Sequence, residues 1–124
     1  MEFLKQRLFG PRIPLPDLPE LLIHRAEVRR CVWIPWIGGH LSGMKQSAAG
    51  VAIGNQILLA PGVILSHRLL IHELEHVKQW QAEWLFLVWY TLESLRHGYY
   101  NNRYEVAARA AEAQSRPGVT YGVA

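Results

Sequence analysis

Two histidines four residues apart, His72 and His76, enclose a glutamate, Glu73, in the stretch LLIHELEHVKQWQ at residues 69–81. On an α-helix each residue advances by about 100°, so the two histidines lie about 40° apart on one face, one turn along. Both imidazoles can then reach a single Zn²⁺ at about 2.0–2.1 Å. Glu73 falls on the flank of such a metal, where it can take a proton from a zinc-activated water and deliver it to a leaving amine. This is the chemistry that an H-E-x-x-H helix supports. The competing reading is a solvated helix with a coincidental histidine pair. Leu70, Leu74 and Val77 recur at spacings of four and three, an apolar stripe that predicts a helix from about residue 63.

A catalytic zinc takes a third protein ligand. The downstream and neighbouring candidates are His67, Glu83, Glu93, His97, Glu105 and Glu112. His67 points about 140° away from His72, and Glu83 and Glu93 lie too near the first helix or on a greasy second one. Glu105 is the favoured candidate. It sits in the first turn of a third helix, capped by Asn101 or Asn102 and running to about Gln114. The helix and turn between it and His76 give the chain room to fold back. An ordinary glutamate at a helix N-terminus is the plain alternative.

HELEHVKQWQ followed by Asn102-Arg103-Tyr104-Glu105-Val106-Ala107-Ala108 resembles the N-x-x-E-x-x-A arrangement of gluzincin-type metallopeptidases, most of all their small single-domain members, the minigluzincins. The likeness covers roughly residues 47–113. It implies an α+β, zincin-like fold: a small β-sheet, then an active-site helix carrying both histidines, then a glutamate helix carrying the third ligand. It implies His72, His76 and Glu105 as zinc ligands and Glu73 as the base. It also implies an edge strand over residues 50–59, with Val51, Ile53, Asn55 and Ile57, that binds extended substrate by strand addition. Many gluzincins carry an aspartate four residues after the ligand glutamate. That position is Arg109 here, and Glu112, one further turn along, is the residue that could take its place. An oxyanion stabiliser is left open among Tyr99, Tyr100, Tyr104 and His97.

The rest of the chain must position these groups. At 124 residues, 50% hydrophobic and 19% charged, it suits a single domain with a true core. Residues 1–19, with Pro11, Pro14, Pro16 and Pro19, read as an irregular arm, and 116–124 as a loose tail around a domain at 20–115. Residues 20–30 have helix-forming composition behind Pro19. Residues 31–37, CVWIPWI, are β-prone, and a glycine-rich turn with His40 follows. The stretch 47–59 alternates poorly but is bounded by turn signals, and Gly54-Asn55 can turn a hairpin or bulge a strand. A second helix is expected over residues 84–96, broken at HGYYNN.

A net charge of +3 with scattered basic residues and no recognition motif argues against nucleic acid as a partner. The expected partner is a peptide or protein substrate. The single cysteine, Cys31, precludes an intrachain disulfide and reads as a buried, inert thiol. The N-terminal stretch does not read as a signal peptide, and no run approaches the roughly 20 apolar residues of a spanning helix, so a cytoplasmic protein is expected. The run WLFLVWYTL, residues 84–92, reads first as a core helix, with membrane-surface or protein contact as the sharper reading. Beside a zinc peptidase, a catalytically silent zinc-binding module or a docking protein stays open.

Overall fold

Val28, Arg29 and the whole of Gln56–Leu59 are buried, and they form the centre of a three-stranded sheet. Its strands are β1 (Glu27–Arg30), β2 (Gly50–Ile53) and β3 (Gln56–Leu59), in the order β1-β3-β2. β1 runs parallel to β3, and β2 antiparallel to it. β2 and β3 are joined by a two-residue hairpin at Gly54-Asn55, the turn rather than the bulge, with Gly54 at φ 60°. This computed structural model describes residues 1–31, 33 and 49–121. Most of the β-prone stretch 31–37 and the glycine-rich turn with His40 lie outside those residues.

The N-terminal arm is not irregular throughout. Glu2–Phe9 is a helix, α1, which forms ahead of the first proline with Glu2 in its first turn and Arg7 in its last. Gly10 then turns the chain at φ 93°, so close to β1 that a Cβ there would stand 1.7 Å from the Arg30 carbonyl oxygen. The arm continues along β1, with Ile13 N–H donating to the Val28 carbonyl at 2.9 Å. The fully buried Arg29 binds this arm to the sheet. Its Nε donates to Gln56 Oε1 at 2.7 Å and an Nη to Glu2 Oε1 at 2.7 Å.

Residues 20–30 are not one helix. The helix α2 spans only Pro19–Ile23, with Pro19 in its first turn. Arg25 turns through φ 53°, and the chain enters β1. Non-local pairing with β3 overrides the local helix preference of Glu27–Arg30. Beyond β3 a two-residue strand, β4 (Leu65–Ser66), leads into α3 (His67–Ala82). Ser66 caps α3 by accepting from the Leu69 N–H at 3.0 Å. The tail is not loose over its described part. Thr120–Tyr121 forms β5, antiparallel to β4, and the Arg116 N–H donates to His67 Nδ1 at 2.7 Å.

α3 lays Leu70, Leu74 and Val77 on the core beneath the sheet. α4 (Phe86–Asn101) follows, with non-helical backbone at Gly98, φ 78°, where the sequence predicted a break. α5 (Arg103–Ala111) and a short 3-10 turn (Glu112–Gln114) complete the helical layer. Contrary to the core reading of residues 84–92, α4 buries little of itself. Phe86 is its one fully buried residue among those described, while Trp84 just ahead of it is 89% exposed and Leu95 79%. The result is a mixed α+β architecture. No helix of the described residues is long and apolar enough to cross a membrane.

Candidate metal centre

α3 turns His72, Glu73 and His76 toward α5, which packs alongside it. α5 is placed by Asn102, a fully buried side chain with three tasks. Its Oδ1 caps the helix by accepting from the Tyr104 N–H at 2.8 Å, and its Nδ2 donates to the Tyr90 carbonyl at 3.0 Å and to Ser94 Oγ at 2.8 Å. Glu105 follows one turn later and is itself buried.

The outcome is a convergence of three side chains. His72 Nε2 lies 3.2 Å from Glu105 Oε1, and His76 Nε2 lies 3.2 Å from Glu105 Oε2. One potential ligand atom from each of the three residues falls within 4.8 Å of the others, so the cluster can hold a metal ion. The far side of each ring is fastened. His72 Nδ1 donates to Glu112 Oε1 at 2.6 Å, and Arg68 Nε donates to the other oxygen of that carboxylate at 2.5 Å. His76 Nδ1 donates to Gln79 Oε1 at 2.8 Å, and Gln79 Nε2 donates onward to the Tyr104 carbonyl at 3.1 Å. These bonds place the Nδ1 protons outward and turn both Nε2 atoms to the shared point, as metal-binding imidazoles require.

Electrostatics follow from the crowding. Burial disfavours a charged Glu105, but hydrogen bonds from His72 and His76, and one from the Tyr90 hydroxyl at 2.5 Å, hold its carboxyl well below the usual range. Burial likewise opposes a charge on His72. The carboxylates of Glu105, Glu73 and Glu112 outweigh it and push the imidazole up to about 9. His76 is raised in the same way. Glu73 is raised by its complete burial, against the pull of the two histidines. Its Oε2 is buried with no hydrogen-bond partner, beside the three-residue cluster. Two imidazoles, one ionised carboxylate and an orphaned carboxylate oxygen next to them form a donor set that fits a divalent cation with a small polar ligand.

The remaining candidates separate. Tyr99 stands near Glu105, and burial together with the charges of Glu105 and Glu73 keeps its hydroxyl protonated above the ordinary range. Tyr104 directs its hydroxyl away, to Glu83 at 3.0 Å, and stacks under Arg103. Tyr100 is exposed beneath Arg109, and His97 lies 4.0 Å from Glu93 on the surface. His67 faces Glu20 at 3.4 Å. Of the substrate-strand positions, Val51 and Ile53 lie on β2, Asn55 in the hairpin turn, and Ile57 on the central strand β3, fully buried. Among the described residues, β2 is the edge of this sheet beside α3.

Two supporting residues escape a sequence reading. Gln79 could have been found, since it sits one turn after His76 on the same helix. Tyr90 could not, because it stands within an apolar run whose inward face is invisible before folding. No family model, no curated protein and no solved structure matches the chain.

Proposed function

We propose that the chain is a zinc-dependent peptidase of the gluzincin type, with a zincin-like arrangement of sheet, histidine helix and glutamate helix. The observation that carries this reading is the convergence of His72, His76 and Glu105, with the partnerless buried oxygen of Glu73 beside it. His72 and His76 would hold the metal through Nε2 and Glu105 through its carboxylate. Zinc bound there supplies a Lewis acid that polarises a scissile carbonyl and acidifies a water.

The chain's own groups supply the rest. Glu73, raised by burial, is suited to accept the proton of the attacking water and pass it to the leaving amine. The Tyr99 hydroxyl, held protonated, is a donor for the developing oxyanion. The edge of β2 beside α3 is the place for an extended peptide.

Metal analysis of the purified chain, with cleavage of a mixed peptide library, tests the reading. The expected result is one zinc per chain, lost in Glu105→Ala, and cleavage that stops on chelation. A chain that binds zinc with Glu105 removed, or that cleaves equally in chelator, would overturn it.

A second reading accompanies the first. The exposed apolar side chains Trp84, Leu87, Val88, Trp89 and Leu92 suit docking on a membrane surface or a protein partner. Flotation with anionic vesicles, compared for the wild type and Trp84→Ser/Trp89→Ser, tests it. Absence of flotation would leave the lipid version without support.

A further inference from the structure

The register of β2 shows which of its backbone groups face away from the sheet. Ala60 N–H donates to the Ala49 carbonyl at 3.0 Å, so Ala49 is a position that bonds across to β3. In an antiparallel ladder every second residue does the same. Val51 and Ile53 therefore spend their N–H and C=O groups on β3, and Gly50 and Ala52 direct theirs to the opposite edge. At Gly50, β2 approaches Glu73: a Cβ there would stand 3.8 Å from the Glu73 carboxyl carbon. At Ala52 the outward carbonyl already has a donor, the indole Nε1–H of Trp80 at 3.0 Å. Trp80 lies seven residues after Glu73 on α3, two turns along nearly the same face. Its ring is braced by Phe86, with centroids 5.1 Å apart.

We propose that Trp80 ends the substrate-pairing edge of β2. An extended peptide pairs with the backbone of Gly50, and the indole denies it the Ala52 carbonyl. The inference rests on the peptidase reading above. The indole nitrogen stands 3.0 Å from that outward oxygen, about the distance a ladder N–H would need, so the ring takes one of its lone pairs and crowds the approach of a paired strand. Strand addition gains affinity from successive main-chain bonds, so closing the second outward carbonyl stops that gain after one residue pair. The favoured substrate class is a short peptide, or a chain terminus, on the Ala52 side, in preference to the middle of a long extended segment.

The test uses the full zinc-loaded chain carrying Glu73→Gln, which holds peptide uncleaved. A labelled alanine-serine tetrapeptide and octapeptide are the probes, each measured with and without Trp80→Phe. With Trp80 in place the two peptides are expected to bind equally. Trp80→Phe is expected to tighten the octapeptide alone by about three- to tenfold, the worth of one recovered hydrogen bond. An octapeptide that already binds more tightly beside Trp80, or no gain in the variant, overturns the proposal.

A second measurement keeps the indole. The Trp80 indole N–H resonance should retain slow solvent exchange when the octapeptide binds, and faster exchange would show the ring displaced and the proposal wrong. Cleavage of the octapeptide by the wild-type chain reports separately on the peptidase reading. An octapeptide gain confined to Trp80→Phe, with no cleavage by the wild-type chain, would remove the peptidase and leave the edge cap standing, and cleavage with no octapeptide gain in the variant would do the reverse.

Discussion

Glu112 accepts the Nδ1 proton of His72 at 2.6 Å from a position seven residues beyond Glu105. Arg109 occupies the place where a carboxylate in this role is expected from the family resemblance, and its guanidinium instead lies over the Tyr100 ring. The orienting carboxylate therefore comes from the 3-10 turn that follows α5. Removing such a partner weakens metal binding about 10–100-fold. Glu112→Ala is expected to weaken zinc by that factor in a competition titration, and Glu112→Gln, which keeps an acceptor, to recover part of it. Arg68→Ala should change affinity little, because Arg68 is exposed and touches only the far oxygen of Glu112. Equal zinc affinity in wild type and Glu112→Ala would show that the bond does no orienting.

The two tyrosines near Glu105 should separate by readout. Tyr90 donates to the carboxylate at 2.5 Å and fixes its orientation, so Tyr90→Phe is expected to weaken zinc binding about tenfold. Tyr99 is the proposed donor to the oxyanion. Tyr99→Phe should leave zinc content and KM near wild type and lower kcat about 100-fold. A Tyr99→Phe enzyme with unchanged kcat would pass the oxyanion role to another group.

The inner face of α3 and the cap of α5 were legible in the sequence because their signals are local. Leu70, Leu74 and Val77 mark the inner face of α3, and Asn102, one of the two asparagines expected to do so, caps α5. The spacing of Glu105 after that cap was enough to single it out among six candidates. What stayed hidden depends on distant parts of the chain. Glu27–Arg30 has helix-forming residues but is held extended by β3, and Thr120–Tyr121 is ordered by pairing with Leu65–Ser66. The apolar run of α4 looked like core because composition does not tell how much of a helix finds a partner. Ile57 was placed on the edge strand because the family resemblance spans residues 50–59 as one strand and does not say which arm of the hairpin lies at the centre.

The metal-free protein should carry a pH signature. The folded pKa of His72 is raised from 6.5 to about 9, and that of His76 is raised too. Their protonated pairing with Glu105 thus contributes stability in full below about pH 6.5, and loses it as pH rises through about 9. The Glu105 carboxyl, lowered in the fold, contributes in full above about pH 4.5 and loses its share as pH falls through its depressed value. With chelator present, Tm is expected to decline between pH 6.5 and 9.5. Zinc-loaded protein, with both Nε2 atoms engaged, should lack that decline. A flat Tm in chelator over this range would show that the three side chains are not coupled in the metal-free fold.

Asn102 joins the placement of Glu105 to the rest of the helical layer. Its side chain is fully buried and makes bonds to Tyr104, Tyr90 and Ser94. Asn102→Ala removes a helix cap and leaves buried groups unpaired, for an expected loss of about 2 to 3 kcal/mol in urea unfolding. Asn102→Asp keeps the cap acceptor but not the Nδ2 donor, and should lie between. Stability unaffected by either change would mean that α5 is held by packing alone.

Glu73 separates metal binding from turnover. It stands beside the three metal-binding candidates without being one of them, and one of its buried oxygens has no partner. Glu73→Gln preserves the shape of the side chain and removes its ability to take a proton. Zinc content should therefore stay at wild-type level while peptide cleavage falls by about 100- to 10,000-fold, the range general-base removal produces. The same substitution replaces a carboxyl whose burial disfavours its charge, so thermal stability should hold or rise. A variant that keeps zinc and cleaves as fast as wild type would place the proton-accepting group elsewhere. One that loses zinc would make Glu73 part of the metal's own coordination.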